Sequence, residues 1–209
     1  TESPRDRVLS ENEIRILWKG FDFTTKSVNP KYIIHMSEQT KLALKLQLVL
    51  AQRKGEIISA EWSEIDMVTG WWTIPNNKSK NNQTHRVPLP SLACELLEEV
   101  KKLSGNSIYL FPSKIIAGHI RGSAIDRAVR RSYFKGIEHW TPHDLRRSAA
   151  SYMTSIGISR LVVSKILNHS EARNVTAVYD RYSYDKEKKL ALDLWSKKLL
   201  EIVSTHKSE

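Results

Sequence analysis

Residues 141–153 read TPHDLRRSAASYM, and the reading of the whole chain turns on them. Threonine followed by proline is a strong helix start: Thr141 suits the N-cap, Pro142 the first helical position, and Asp144 the first turn. A helix over 142–156, ended by Gly157, puts His143 and Arg146 on one face of that turn. The peptide N–H groups at this end have no partners and favour an anion. A histidine and an arginine in a first turn are most often a solvated pair, so the anion has to be argued from the rest of the chain.

The flanking sequence predicts an α+β fold, mostly α-helical, in a single domain. In LSENEIRILWKGF (9–21), Ser10 and Glu13 stand in capping-box register ahead of an Ile14, Ile16, Leu17, Phe21 stripe. In SEQTKLALKLQLVLAQRKGE (37–56), leucines at every second position imitate a strand. The segment is nevertheless long and rich in helix formers, which predicts a helix ending near Gln52. The period changes in EWSEIDMVTGWWTIP (61–75), where Thr69-Gly70 reads as a hairpin turn. With THRVPLP (84–90) this gives a small three-stranded antiparallel sheet. Further helices are predicted at 91–103, 123–134, 159–167, 174–181 and 185–203.

Composition limits the partners. Among 209 residues, 33 lysines and arginines face 23 acidic residues, a formal net charge of +10. The basic residues are scattered through folded segments, so a polyanion, nucleic acid first, is the natural partner. No apolar run approaches the roughly 20 residues of a membrane span. The single cysteine, Cys94, excludes an internal disulfide, fits a reducing cytoplasm and reads as a small core residue in SLACELLEEV.

Other stretches supply candidate chemistry. AQRKGEI (51–57) places Arg53 after a buried helix, with Gly55 available for a tight turn and Glu56 to anchor it. SKNNQTHRVPL (79–89) places Lys80 in an exposed inter-strand loop, where Lys78 is its rival. KILNHS (165–170) places His169 after a short helix, with Asn168 able to take the left-handed conformation. VTAVYDRY (175–182) adds Tyr179, with Tyr182 three residues on.

The ordered series Arg, Lys, His-x-x-Arg, Asn-His, Tyr resembles the tyrosine recombinases, or phage integrase family, along nearly the whole chain. In particular it is similar to integrases of genomic islands and satellite phages, through RVLSENEI, HRVPL, HDLRRS and AVYDRY. Asn168 stands where many members carry glycine. The resemblance implies that residues 1–209 are the catalytic domain, with core-binding and arm-binding domains expected ahead of Thr1. It implies Arg53, Lys80, His143, Arg146, His169 and Tyr179 as catalytic residues, and no cofactor or metal. The activity implied is site-specific DNA recombination through a 3′-phosphotyrosine, integrating or excising a mobile element in a bacterial cytoplasm, at the nucleoid. Implied partners are double-stranded DNA attachment sites, a homotetramer on synapsed DNA (a monomer when free), and accessory DNA-bending or directionality factors. The alternatives are a catalytically silent DNA-binding regulator and a type IB topoisomerase-like activity.

The chemistry suits the residue types. Attack on phosphorus builds charge on the non-bridging oxygens, and two arginines can clamp these with planar, bidentate donors. Lysine can protonate the departing 5′-oxygen, and an imidazole can take the nucleophile's proton. Tryptophans 62, 71, 72 and 140 read as core or sheet-face aromatics, and His85 as structural. In YDKEKKLALDLWSKKLLEIV (184–203), Leu192, Trp195, Leu199 and Ile202 form one stripe. In the free chain this stripe is expected to cover its own domain. In the family the terminal segment packs on a neighbour, so residues 190–209 are read as dispensable to the fold.

Overall fold

Helix α2 (Glu38–Leu50) runs through the centre of the molecule, and every residue from Thr40 to Leu50 is buried. A helix enclosed on all sides needs no polar face, which is why its leucines fall at every second position without making a strand. Its two lysines reach carboxylates at the rim: Lys41 pairs with Glu38 at 2.7 Å, and Lys45 with Asp22. The computed structural model of the chain describes residues 6–22, 32–169 and 182–205.

Around α2 pack α1 (Glu11–Asp22), α3 (Lys54–Ser59), α4 (Ser91–Ser104), α6 (Pro142–Ser155) and α8 (Asp185–Ser204). Helices α5 (Gly122–Arg131) and α7 (Arg160–Ile166) complete the α-helical set among the described residues, beside one 3-10 turn at Trp62–Glu64. Strands β2 (Ile65–Asp66), β3 (Trp71–Ile74) and β4 (His85–Pro88) form the expected antiparallel sheet in that order, with Trp72 opposite both Ile65 and Val87. The turn between β2 and β3 uses Gly70 at φ 75°, a conformation that glycine adopts without strain.

The fold departs from the sequence reading in three places. The helix expected over 123–134 stops at Arg131. Tyr133–Phe134 instead forms strand β5, which pairs with β1 (Tyr32–Ile33). Ser132 marks the change: its hydroxyl donates to the Ala128 carbonyl and accepts from the His35 N–H, both at 2.9 Å. After α2, the left-handed residue is Ala51 at φ 56°, while Gly55 lies inside the short helix α3 rather than in a tight turn. Within the segment read as dispensable, residues 190–204 belong to α8, and its buried face to the core. Leu192, Trp195 and Leu199 are fully buried, and α8 packs on α1, α2, α6, α7 and β4. The Trp195 indole donates to the Leu48 carbonyl at 3.0 Å and stacks on Tyr152 with ring centres 5.8 Å apart. The helix expected over 174–181 lies outside the described residues, as do Tyr179 and Asp180. No helix among the described residues is long and apolar enough to cross a membrane.

Candidate active site

Helix α6 begins as its sequence dictates, with Thr141 at the N-cap and Pro142 in the first turn. The fully buried Asp144 carboxylate accepts from the Thr141 N–H at 2.8 Å, from its hydroxyl at 3.0 Å, and from Arg147 at 2.8 Å. This fixes the first turn. His143 is exposed on it, and Arg146, one turn further, is only 3 % exposed.

Arg146 reaches backbone rather than carboxylate. Its Nη1 donates to the Ala51 carbonyl at 2.8 Å and its Nη2 to the Leu167 carbonyl. Burial first, and the Arg53 charge second, push its pKa down to about 10 against the opposing pull of Glu56. It remains a cation at neutral pH.

The carbonyls at the end of α7 organise everything nearby. A helix leaves its last carbonyls without intrahelical partners, and they carry the negative end of the helix dipole. Here the Ile166 carbonyl accepts from Gln52 Nε2 at 2.9 Å and His85 Nε2 at 3.1 Å. The Leu167 carbonyl takes Arg146. The Asn168 carbonyl takes Arg53 Nη2 at 3.2 Å and Asn81 Nδ2 at 2.8 Å. Asn168 itself adopts the left-handed conformation, φ 48°, that its sequence allows. Gln52 and Asn81 were not singled out in the sequence; adjacency to Arg53 and Lys80 was the only signal.

Arg53 caps α3. Its N–H and its Nη1 each donate to the Glu56 carboxylate at 3.0 Å, so Glu56 holds both the backbone turn and the guanidinium. The Arg53 side chain stays 23 % exposed, and its open side can meet a ligand.

The remaining groups converge electrostatically. The pKa of His169 is lowered by burial and then by the charges of Arg146, Arg53, His143 and Lys80. That of His143 is lowered by burial, then by Arg147 and Arg146. Both imidazoles are therefore neutral at pH 7. Lys80 is exposed, and among the described residues no ion pair holds it. Its rival Lys78 bonds the Ser59 carbonyl at 3.0 Å and Glu61 at 2.7 Å, and also pairs with Glu64. Burial works to lower the Lys78 pKa, but the two carboxylates outweigh it and raise it. Lys78 is a structural cation.

His85 is buried, as its structural reading expected, and Trp140 packs in the core against Phe21 and Phe134. Tyr182 is half exposed and donates to Glu187 at 3.2 Å; desolvation and that contact raise its pKa, which is the wrong direction for a nucleophile. The described site thus gathers two guanidiniums, two neutral imidazoles and an exposed ammonium within electrostatic reach of one another. Such a set binds a tetrahedral oxyanion.

The profile of the phage integrase family matches residues 24–186. The chain belongs to this family. Over 162 residues it is 29 % identical to prophage integrase IntA of Escherichia coli (strain K12), covering 77 % of this chain and 39 % of that protein. It is 28 % identical over 172 residues to the integrase of Enterobacteria phage P4, covering 75 % of this chain and 39 % of that protein. The chain thus spans well under half the length of both relatives. Among solved structures, the XerA recombinase superposes with a TM-score of 0.62 at 18 % identity, over 99 % of this chain and 67 % of that one. The lambda integrase catalytic core gives 0.55 at 20 % identity, over 78 % of this chain and 95 % of that one. A further neighbour is a lambda integrase tetramer bound to a Holliday junction, with a TM-score of 0.58 at 19 % identity, over 83 % of this integrase chain and 50 % of that one. These superpositions show that this integrase-family chain has the fold of the recombinase catalytic core.

Proposed function

We propose that residues 1–209 form the catalytic domain of a site-specific DNA recombinase that cuts and rejoins DNA through a 3′-phosphotyrosine. The observation that carries this reading is the convergence of Arg53 and Arg146 on the end of α7, beside His143, His169 and Lys80.

Arg53 and Arg146 hold the non-bridging oxygens of the scissile phosphate and offset the charge that builds there; losing one such donor typically costs about 10²–10³ in rate. Tyr179 attacks phosphorus, and its phenolic proton passes to a neutral imidazole, His143 or His169. The bond to the 5′-oxygen breaks, and Lys80 supplies that oxygen's proton. A phosphodiester replaces a phosphodiester, so the bond energy is kept in the covalent intermediate and the step reverses without a nucleotide. The reaction integrates or excises a mobile element at double-stranded attachment sites, within a homotetramer on synapsed DNA, with accessory bending or directionality factors joining it there.

The test is covalent capture on a nicked duplex carrying the attachment site, with EDTA present. Wild type should form a 3′-linked adduct, and Tyr179→Phe should form none while binding the duplex normally. An adduct formed by Tyr179→Phe moves the nucleophile to Tyr182. No adduct with wild type favours the silent regulator.

A further inference from the structure

We propose that Asn168 is a positioning residue that latches the Lys80 turn onto the phosphate clamp, resting on the assignment of Lys80 as the general acid. The two sequence neighbours of Lys80 both bond this one residue. Asn168 Nδ2 donates to Ser79 Oγ at 2.9 Å, and Asn81 Nδ2 donates to the Asn168 carbonyl at 2.8 Å. The same carbonyl accepts from Arg53 at 3.2 Å, and the next residue in the chain is His169. Ser79 is buried although Lys80 beside it is exposed. The turn is therefore held by its flanks, and the ammonium between them is left to project.

This arrangement resolves a conflict of requirements. A general acid has to approach one oxygen of the phosphate at hydrogen-bond distance, yet a lysine on a polar loop has four flexible side-chain bonds and a turn that can shift beneath it. Tying both flanks of the turn to the residue that also receives Arg53 fixes the origin of the lysine side chain relative to the guanidinium. The side-chain amide is essential to one of the two ties. A glycine at 168 would keep the left-handed backbone and the carbonyl, and would delete the bond to Ser79 together with the longer contact, 3.4 Å, from Asn81 Nδ2 to the Asn168 Oδ1.

The experiment compares single-turnover cleavage of a normal duplex with cleavage of one carrying sulfur as the 5′-bridging atom, whose thiolate leaves without a proton. Asn168→Gly and Ser79→Ala both remove the 2.9 Å bond, from opposite ends, and Asn168→Gly removes the weaker 3.4 Å contact with Asn81 as well. Each should slow cleavage of the normal duplex about tenfold, the cost of one neutral hydrogen bond. Each should cleave the sulfur substrate at the wild-type rate, and the double variant should be no slower than either single one. Equal losses on both substrates, or no loss on the normal one, overturn the latch. Lys80→Ala serves as the control: if sulfur does not restore its cleavage, the assignment of Lys80 falls, and the latch with it. Ser79→Ala involves no residue of unusual backbone conformation, so it keeps the test sound if Asn168→Gly unfolds.

Discussion

The two halves of the candidate site are held by different materials. Arg53 and Arg146 are held mostly by main-chain carbonyls, at Ala51, Leu167 and Asn168, with Glu56 as the one carboxylate. Among the described residues Lys80 is held through its neighbours, by side-chain hydrogen bonds of Ser79 and Asn81 and by backbone bonds of the turn. A group that stabilises charge through its geometry benefits from being fixed before the substrate arrives. A group that must hand over a proton needs reach and water access. Rigid backbone at one end and a tethered exposed turn at the other satisfy both.

The sharpest way to break this contrast is Arg146→Lys. Lysine keeps the charge but cannot span the Ala51 and Leu167 carbonyls, so cleavage should fall by about 10²–10³. Stability should fall too, by about 1–3 kcal/mol for each buried carbonyl left unpaired. Denaturant unfolding beside single-turnover kinetics reads both. A variant with wild-type values on either axis would show that the carbonyl clamp does not orient the guanidinium.

The lysines of the turn give the next largest effect, in opposite directions. Lys80→Ala should slow cleavage by about 10² or more while leaving stability within about 0.5 kcal/mol. Lys78→Ala should leave cleavage nearly intact and lower stability by about 1–3 kcal/mol, because Glu61 and Glu64 lose their shared cation. If the two variants exchanged phenotypes, Lys78 would be the acid.

A third effect is one of pH, and it bears on stability alone. Burial, and then the charges of Lys188, Arg146 and Arg53, push the His85 pKa down to about 4, against the pull of the Ile166 carbonyl. An unfolded histidine takes up its proton near pH 6.5, so between about 6.5 and 4 the unfolded chain binds one proton more than the folded one. Stability is complete above this window and is lost as pH falls through it, by on the order of 3 kcal/mol in all. His143 and His169 shift in the same direction and add modestly. Unfolding at pH 7, 5 and 4 should show this decline, and His85→Gln should flatten most of it.

The parts of this site that could be read from sequence are those whose chemistry is carried by residue type. Arg53, Lys80, His143, Arg146 and His169 stand in an order that few other functions would produce, and α6 announces itself through Thr141-Pro142. The supports could not be read. Gln52 and Asn81 bond carbonyls 114 and 87 residues away, and a carbonyl has no letter in a sequence. Strands β1 and β5, two residues each, are too short to show a period. Helix α3, with a glycine at its second position, looked like a turn because its cap is an arginine and its anchor lies at Glu56. The stripe on α8 was legible, and so was its covering of its own domain; the contact of Trp195 with the Leu48 carbonyl was a matter of packing.

The end of α7 has one consequence for how this protein can vary. Every amino acid carries a carbonyl, so replacement of Ile166 or Leu167 by another helix-compatible residue leaves the acceptors for Gln52, His85 and Arg146 in place. Insertion or loss of a single residue within 160–166 is another matter. It would turn the last carbonyls by about 100° around the helix axis and hand each donor the wrong acceptor. The arginine clamp is thus tolerant of spelling and intolerant of length.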